Sequence, residues 1–319
     1  MIESISVEGE ALDKVGHSQR NAKMQQFDIA VVGDFAKDRI VFRGRTESSP
    51  GGSVYYGALA LQRMGIPTAV VTKLAKEDFD LLQKLTQEGI AVYAQPAPQT
   101  SGIENIYTTE NMDRRICHPI GFAGPIRIEE MTRISARTFL IGPIMAGIVD
   151  ISLIKVLSTR GSVALDAQGF VRIRRDNDLV LADWPEKEEG LALVRTLKVD
   201  DAEAEVLTGE TDRAKTLQRL STYGPSEIML THAEGVTLYA DGRLFEAPFV
   251  PKKILGRTGR GDTCFATYLG RRLTASPEKA CTFAAAATSL KMERPGPLQA
   301  SVEEVEKLAD LLASSRSGR

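Results

Sequence analysis

The sequence predicts an α/β protein in which a doubly wound, mostly parallel sheet is flanked by helices. Short apolar runs rich in β-branched residues alternate with helical patterns along the 319 residues. The first run, 28–33, ends in glycine, which is typical of a buried parallel strand. Further strands are predicted at 68–73, 136–141, 162–166, 197–199 and 227–231.

The segments between these runs carry helical patterns. Helices are predicted at 52–64, 77–87, 150–157, 201–207 and 213–223, and at 261–273, 277–291 and 302–312 in the C-terminal third. The helix at 277–291 contains four alanines in a row, Ala284 to Ala287. Such small side chains allow either another helix or a flat ring to approach the helix closely.

Two segments depart from the alternation and predict a lid. Residues near 38–44 and 103–120 have strand patterns with no helix between neighbouring strands, and 111–113 has the composition of a hairpin turn. A small antiparallel sheet added to an α/β domain commonly covers a cleft. We therefore expect a mobile N-terminal extension at 1–26, followed by one domain at 27–319 that carries this lid.

Composition excludes several classes of protein. The formal net charge of −2 argues against a nucleic-acid partner. The three cysteines lie far apart and form no C-x-x-C pair, so neither a zinc ribbon nor a disulfide framework is expected. The same cysteines fit a reducing, cytoplasmic location. The longest apolar stretch is too short to cross a bilayer, so we expect no membrane partner.

The most informative motif is Gly256-Arg-Thr-Gly-Arg-Gly-Asp262, directly before a predicted helix. Glycines permit a backbone in which successive N–H groups converge, and a helix N-terminus adds positive potential, so this segment suits a phosphate or a developing phosphoryl charge. Asp262 at its mouth suits a general base that takes a proton from an attacking hydroxyl. The alternative, equally weighted on this motif alone, is that Asp262 is a helix N-cap.

Other motifs occur with this one in a fixed order, and together they resemble the PfkB family of carbohydrate kinases, the ribokinase-like kinases. The matching segments are Gly33-Asp-Phe-Ala-Lys-Asp38, Pro50-Gly-Gly52, Asp166-Ala-Gln-Gly-Phe-Val-Arg172, Asp200-Asp-Ala-Glu203, Thr231 with Gly235, and Gly259-Arg-Gly-Asp262. The resemblance covers residues 28 to 297 and implies a ribokinase-like fold and ATP-dependent phosphorylation of a sugar or polyol hydroxyl.

The resemblance also implies roles for individual residues. The catalytic residues would be Asp262 as base with Gly259, Arg260 and Gly261 as the anion pocket. The substrate would contact Asp38, Gly51, Gly52 and Tyr56. The nucleotide would contact Thr231, Gly235, Thr258 and Ser289. Mg²⁺ would be held through water by Glu203 and Asp200, which otherwise serve as the acidic first turn of a helix. The implied cofactors are ATP and Mg²⁺.

Some positions depart from the family pattern and bear on the substrate. Gly256 replaces an aspartate, Arg260 an alanine and Asp200 an asparagine. The glycine motif together with Asp-Ala-Gln-Gly-Phe-Val-Arg172 resembles members that phosphorylate myo-inositol, which is our leading candidate substrate. Arg260 either adds a cation to the pocket or points to solvent, and Arg172 lies in what reads as an exposed basic stretch.

Two alternatives remain at this point. A nucleoside kinase of the same fold would need an apolar slot for the base, which could come from Phe42, Tyr55, Tyr56, Tyr107 or Phe122. A non-catalytic sugar- or nucleotide-binding regulator would retain the fold without turnover, although Asp262 argues against it. Exposed edges of the lid strands also make a homodimer plausible.

Overall fold

The computed structural model describes residues 25–107 and 116–317. Within them, the strands in chain order are β1 (Gln25–Val32), β2 (Ala36–Phe42), β3 (Arg45–Gly51), β4 (Thr68–Ala75), β5 (Ala91–Ala97), β6 (Gly102–Tyr107), β7 (Ile116–Gly121), β8 (Ile134–Ile141), β9 (Ser162–Asp166), β10 (Arg172–Arg175), β11 (Asp178–Leu181), β12 (Thr196–Asp200), β13 (Glu227–Thr231), β14 (Gly235–Ala240) and β15 (Arg243–Pro248).

The helices lie mostly where the periodicity places them. They are α1 (Ser53–Arg63), α2 (Gln83–Gln87), α3 (Ile151–Ser158), α4 (Gln168–Val171), α5 (Lys187–Leu191), α6 (Asp201–Thr208), α7 (Arg213–Ser221), α8 (Arg260–Arg272), α9 (Pro277–Met292) and α10 (Val302–Ser317), with 3₁₀ helices at Lys76–Leu82 and Ile128–Met131. The helix predicted at 77–87 is thus a 3₁₀ turn that continues into α2.

The main sheet has nine strands in the order β15-β14-β13-β12-β9-β8-β1-β4-β5. Neighbours from β13 to β5 pair in parallel, whereas β14 and β15 add an antiparallel edge. Alternate residues of β1 enter two separate cores: Ala30 belongs to the core that includes residues of α3, α6 and α7, and Ile29 to the core that includes residues of α1, α8 and α9. Helices therefore cover both faces, which confirms the predicted ribokinase-like, doubly wound fold.

A second sheet, in the order β3-β2-β6-β7, forms the predicted lid. The sequence did not predict β3, because its polar residues have little strand propensity and pairing with β2 determines their conformation. The predicted turn at 111–113 lies outside the described residues, as does most of the predicted extension at 1–26. The main sheet begins at Gln25, which pairs with Ile134 two residues before the predicted start of the domain.

The alanine row of α9 packs against protein. Ala284 to Ala287 are fully buried in the core that α8, α9, β14 and β15 share. The structure therefore favours helix packing over a flat ring at this position. Among the described residues, no helix combines the length and apolar character that crossing a membrane requires.

Candidate active site

A cleft of about 680 Å³ lies between the lid and the carboxyl ends of the central strands. Asp38 on β2 and Asn105 on β6 line it from the lid. Asp166, Asp200 and Thr231, the last residues of β9, β12 and β13, line it from the main sheet. Because parallel strands end at one edge of the sheet, residues distant in sequence meet here.

The glycine motif forms the wall of the cleft where α8 begins. Gly259 is the N-cap of α8, with a left-handed backbone (φ 77°, ψ 12°). A side chain at Gly259 would overlap the ring of Tyr56, so the motif requires glycine there for both conformation and space. Gly259, Arg260 and Gly261 all line the cleft, at the positive end of the helix dipole.

Asp262 is the third residue of α8 and lines the same cleft. The helix N-cap is Gly259, so the alternative role of Asp262 as an N-cap is wrong. Its Oδ1 accepts a hydrogen bond from Ser53 Oγ at 2.5 Å. Burial and the neighbouring Asp166 raise the pKa of Asp262, while Ser53 and Lys198 oppose that shift. A carboxylate with a raised pKa is a better proton acceptor for a hydroxyl.

Lys198 is buried beside the glycine motif. Its Nζ lies 3.1 Å from Asp166 Oδ1 and 3.4 Å from Glu203 Oε2. Burial lowers the pKa of Lys198, but Asp166 and Glu203 more than offset this effect and hold it above its usual range. Its Nζ would lie 3.5 Å from a Cβ at Gly261. The ammonium therefore remains charged next to the anion pocket.

The residues expected to hold Mg²⁺ form a helix cap as well. Asp200 Oδ1 accepts from Glu203 N–H at 2.8 Å, and Glu203 Oε2 accepts from Asp200 N–H at 2.9 Å. The alternative role as an acidic helix start is thus confirmed. The second oxygen of Glu203 can still accept a hydrogen bond, because Oε1 is buried without a hydrogen-bond partner. Burial and then Asp200 raise the pKa of Glu203 to about 7, and Lys198 opposes this.

That unsatisfied oxygen fits a hydrated magnesium ion. Across 25–107 and 116–317, no three His, Cys, Asp or Glu side chains are grouped to ligate a metal directly, and Lys198 already occupies the space between Asp166 and Glu203. Magnesium keeps several waters, so Glu203 and Asp200 would hold it through water. When bound, it would neutralise charge on the phosphates.

Asp38 lines the cleft from the lid. It is 8% exposed, and its Oδ1 accepts a hydrogen bond from Ile103 N–H at 2.8 Å. Gly51 lies directly beside it, since a side chain there would overlap Asp38 Oδ2. Gly52, with a φ of 79°, also lines the cleft and precedes α1.

Three of the expected contact residues lie behind the wall of the cleft. Tyr56 is buried and packs against Gly259. Gly235 is buried in β14 against the backbone of Ala247. Ser289 Oγ donates to Ala285 O and accepts from Val250 N–H, so its hydroxyl is used within the protein. Packing at the start of α8, within β14 and on α9 thus keeps these three residues out of the cleft lining, contrary to expectation.

Thr231, Thr258 and the predicted acidic residues do line the cleft. So do Lys198, Arg257 and Arg172, which were not assigned to the site from the sequence. Arg172 reads as exposed, but β10 pairs with β11 in a hairpin that turns it toward the cleft wall. The signal for Lys198 is a charged residue within an otherwise apolar strand. No signal in the sequence points to Ser53, because only the fold brings it to Asp262.

Comparisons with known proteins agree with this geometry. A pyrophosphate-dependent kinase of the ribokinase family, solved as a sulfate complex, is 38% identical, with a TM-score of 0.82 over 87% of this chain and 99% of that one. A pyrophosphate-dependent kinase of that family, complexed with a pyrophosphate analog and myo-inositol, is 37% identical, with a TM-score of 0.81 over 88% and 99%. Arabidopsis thaliana ribokinase with ribose and ATP is 18% identical, with a TM-score of 0.70 over 89% and 99%, and supports the fold alone.

A comparison with curated proteins gives no match. The model of the pfkB family carbohydrate kinases matches residues 22–304, which is most of the chain and includes every residue of the cleft. The family resemblance inferred from the motifs is confirmed, and the chain belongs to the PfkB family of carbohydrate kinases.

Proposed function

We propose that this kinase transfers a phosphoryl group from inorganic pyrophosphate to a hydroxyl of myo-inositol. One observation carries the choice of donor: four cationic side chains line the cleft, and no Phe, Tyr or Trp side chain among the described residues does. The cations are Arg172, Lys198, Arg257 and Arg260. Guanidinium groups bind phosphate oxygens, whereas a nucleobase is commonly stacked on an aromatic ring.

The same observation bears on ATP, the donor expected from the sequence. Of the residues expected to contact a nucleotide, Gly235 and Ser289 lie behind the cleft wall. The loop before α8 is fastened to the end of α9, where Leu255 N–H and Gly256 N–H donate to Met292 O at 2.8 and 3.1 Å. The relative solved with a pyrophosphate analog and myo-inositol also supports pyrophosphate. ATP is the second candidate donor, because it is the donor that the family resemblance implies.

In the proposed reaction, Asp262 takes the proton from the attacking hydroxyl. The bond between the hydroxyl oxygen and phosphorus forms as the bond to the leaving phosphate breaks. The backbone N–H groups of Gly259 and Gly261 stabilise the charge on the transferring group. The N–H of Arg260, also expected in the anion pocket, instead donates to Arg257 O at 3.1 Å. Arg260 lines the cleft, which favours a role at the pocket over one in solvent.

The acceptor contacts would come from the lid. Asp38 accepts hydrogen bonds from neighbouring hydroxyls, and the side chains of Asn105 and Cys117, which face each other across β6 and β7, line the same part of the cleft. These groups suit a polyol. Of the aromatic residues considered for a nucleoside slot, Phe42, Tyr55, Tyr56 and Phe122 do not line the cleft, and the side chain of Tyr107 lies outside the described part of the chain. A nucleoside acceptor is disfavoured on that ground.

The test is a donor and acceptor matrix followed by phosphorus NMR. Pyrophosphate and ATP, each with Mg²⁺, would be combined with myo-inositol, ribose and adenosine. We expect an inositol phosphate, formed from pyrophosphate with a higher kcat/KM than from ATP. A preference for ATP would contradict the donor, and a preference for adenosine would contradict the acceptor. Ligand binding without transfer from either donor would favour the regulator.

A further inference from the structure

Lys291 is a buried cation outside the cleft. It lies near the end of α9, is 1% exposed and is among the largest fully buried side chains. Burying an ammonium is costly unless it is well hydrogen-bonded. Its Nζ donates to Gly256 O at 2.8 Å and to Thr258 O. Both acceptors are backbone carbonyls of the segment that leads into the anion pocket.

The position of these carbonyls determines what Lys291 does. In a planar trans peptide the carbonyl oxygen and the next N–H point in opposite directions, and the described residues contain no cis peptide bond. Thr258 O points to Lys291, so the N–H of Gly259 points away from Lys291. Gly259 and Thr258 line the cleft. The bond to Lys291 thus fixes the orientation of the first pocket N–H.

Attachment of the loop does not depend on Lys291. The N–H groups of Leu255 and Gly256 already bind Met292 O on α9. Tyr56 supports the other side of the pocket, because its ring packs on Gly259 and lies 5.3 Å from Lys291 Nζ. Lys291 adds a bond to Gly256 O within this anchored part and extends beyond it to Thr258 O, at the peptide next to the pocket.

We infer that Lys291 is a positioning residue for phosphoryl transfer, whose ammonium holds the Gly256 and Thr258 carbonyls so that the Gly259 N–H faces the transferring group. This role rests on the proposed function, since it assumes that the glycine motif receives the phosphoryl group. Lys291 touches neither donor nor acceptor. It acts through the backbone of the pocket.

The charge state of Lys291 gives a readout that packing alone would not. Burial lowers its pKa from 10.5 to about 8, while Asp262 on α8 raises it and Arg260 on the same helix lowers it further. Tyr56 faces it from α1 as a neutral ring, because burial raises the pKa of Tyr56 to about 12. Activity should fall as Lys291 deprotonates above pH 8.

Folding stability responds with the opposite sign. Between pH 8 and 10.5 the unfolded lysine holds more protons than the folded one, so the contribution of Lys291 to the free energy of unfolding rises with pH. A residue that served stability alone would give no loss of activity in this interval. Activity and stability changing in opposite directions is therefore the signature of positioning.

The experiment compares the Lys291→Met, Lys291→Arg and Lys279→Met variants of the full chain. Lys279 is exposed on the same helix, so its replacement by Met is the matched control. We expect Lys291→Met to lower kcat by about a hundredfold, with the KM for myo-inositol within a factor of about two. Lys291→Arg should keep most of kcat and move the alkaline limb of the pH profile upward. Lys279→Met should match wild type.

Wild-type kcat in Lys291→Met would overturn the inference, as would a loss explained by the unfolded fraction. If Lys291→Met does not fold, Lys291→Arg decides: an unchanged alkaline limb overturns the inference. If wild type transfers from neither donor, the proposed function fails separately. Calorimetry with inorganic pyrophosphate then tests the role of Lys291. Pyrophosphate affinity about tenfold weaker in Lys291→Met than in Lys279→Met supports the inference, whereas equal affinity overturns it.

Discussion

The two ends of the cleft are built from different chemistry. The end at the carboxyl termini of β9, β12 and β13 contains buried charges, with Lys198 between Asp166 and Glu203. The end beneath the lid contains the carboxylate of Asp38 and neutral groups such as Asn105, without a cation among its cleft-lining described residues. Charge suits a phosphate donor, and hydrogen-bonding groups suit a polyol. Variants at the two ends should therefore affect different kinetic constants.

The largest effect is expected where the two ends meet, at Asp262. Asp262→Asn should lower kcat by about 10² to 10⁴ without changing either KM much, because the amide cannot take the proton. Steady-state kinetics with both substrates measures this. Asp310→Asn, at an exposed site on α10, is the control. A kcat within tenfold of wild type would remove Asp262 from the role of base.

The next largest kinetic effect is expected at the lid end of the cleft. Asp38→Asn should raise the KM for the polyol by about 10- to 100-fold, because a charge-assisted hydrogen bond to the acceptor is lost. The KM for pyrophosphate should stay near its wild-type value. Both constants come from one kinetic series. A larger change in the donor KM than in the polyol KM would contradict the division of the cleft.

The smallest effect concerns the hydrogen bond between Ser53 and Asp262. Ser53→Ala should lower kcat only by about threefold to tenfold, because the base remains and loses one oriented contact. The Ser53 bond lowers the pKa of Asp262, so its removal should raise that pKa further. The acid limb of the kcat profile should then move to higher pH. An acid limb that stays in place would show that Ser53 does not tune the base.

Much of the fold is readable from the sequence, whereas only part of the site is. Alternating strands and helices predict the sheet, and the glycine motif predicts the pocket and Asp262. Lys198 was missed because an isolated lysine in a strand carries no assigned chemistry until its carboxylate partners are known. Ser53 and Asp262 are 209 residues apart, so their contact is a property of the fold alone.

The residues that were expected to contact a ligand but are buried in the protein have a common explanation. Ser289 and Tyr56 were expected to face a ligand, but packing determines which face of a helix is exposed, and both lie on a buried face. The four alanines of α9 could accommodate a ring or a helix, and only the neighbouring elements decide between them. A local pattern predicts an element and leaves open what it contacts.

The path of the chain from β3 to α1 links the lid to the base. β3 ends at Gly51, Gly52 follows, and Ser53 begins α1 and binds Asp262. We expect a displacement of the lid to be transmitted across one residue to Ser53, which binds Asp262. We expect an open lid to leave Asp262 poorly aimed, so that the donor is protected from wasteful hydrolysis until an acceptor has closed the site.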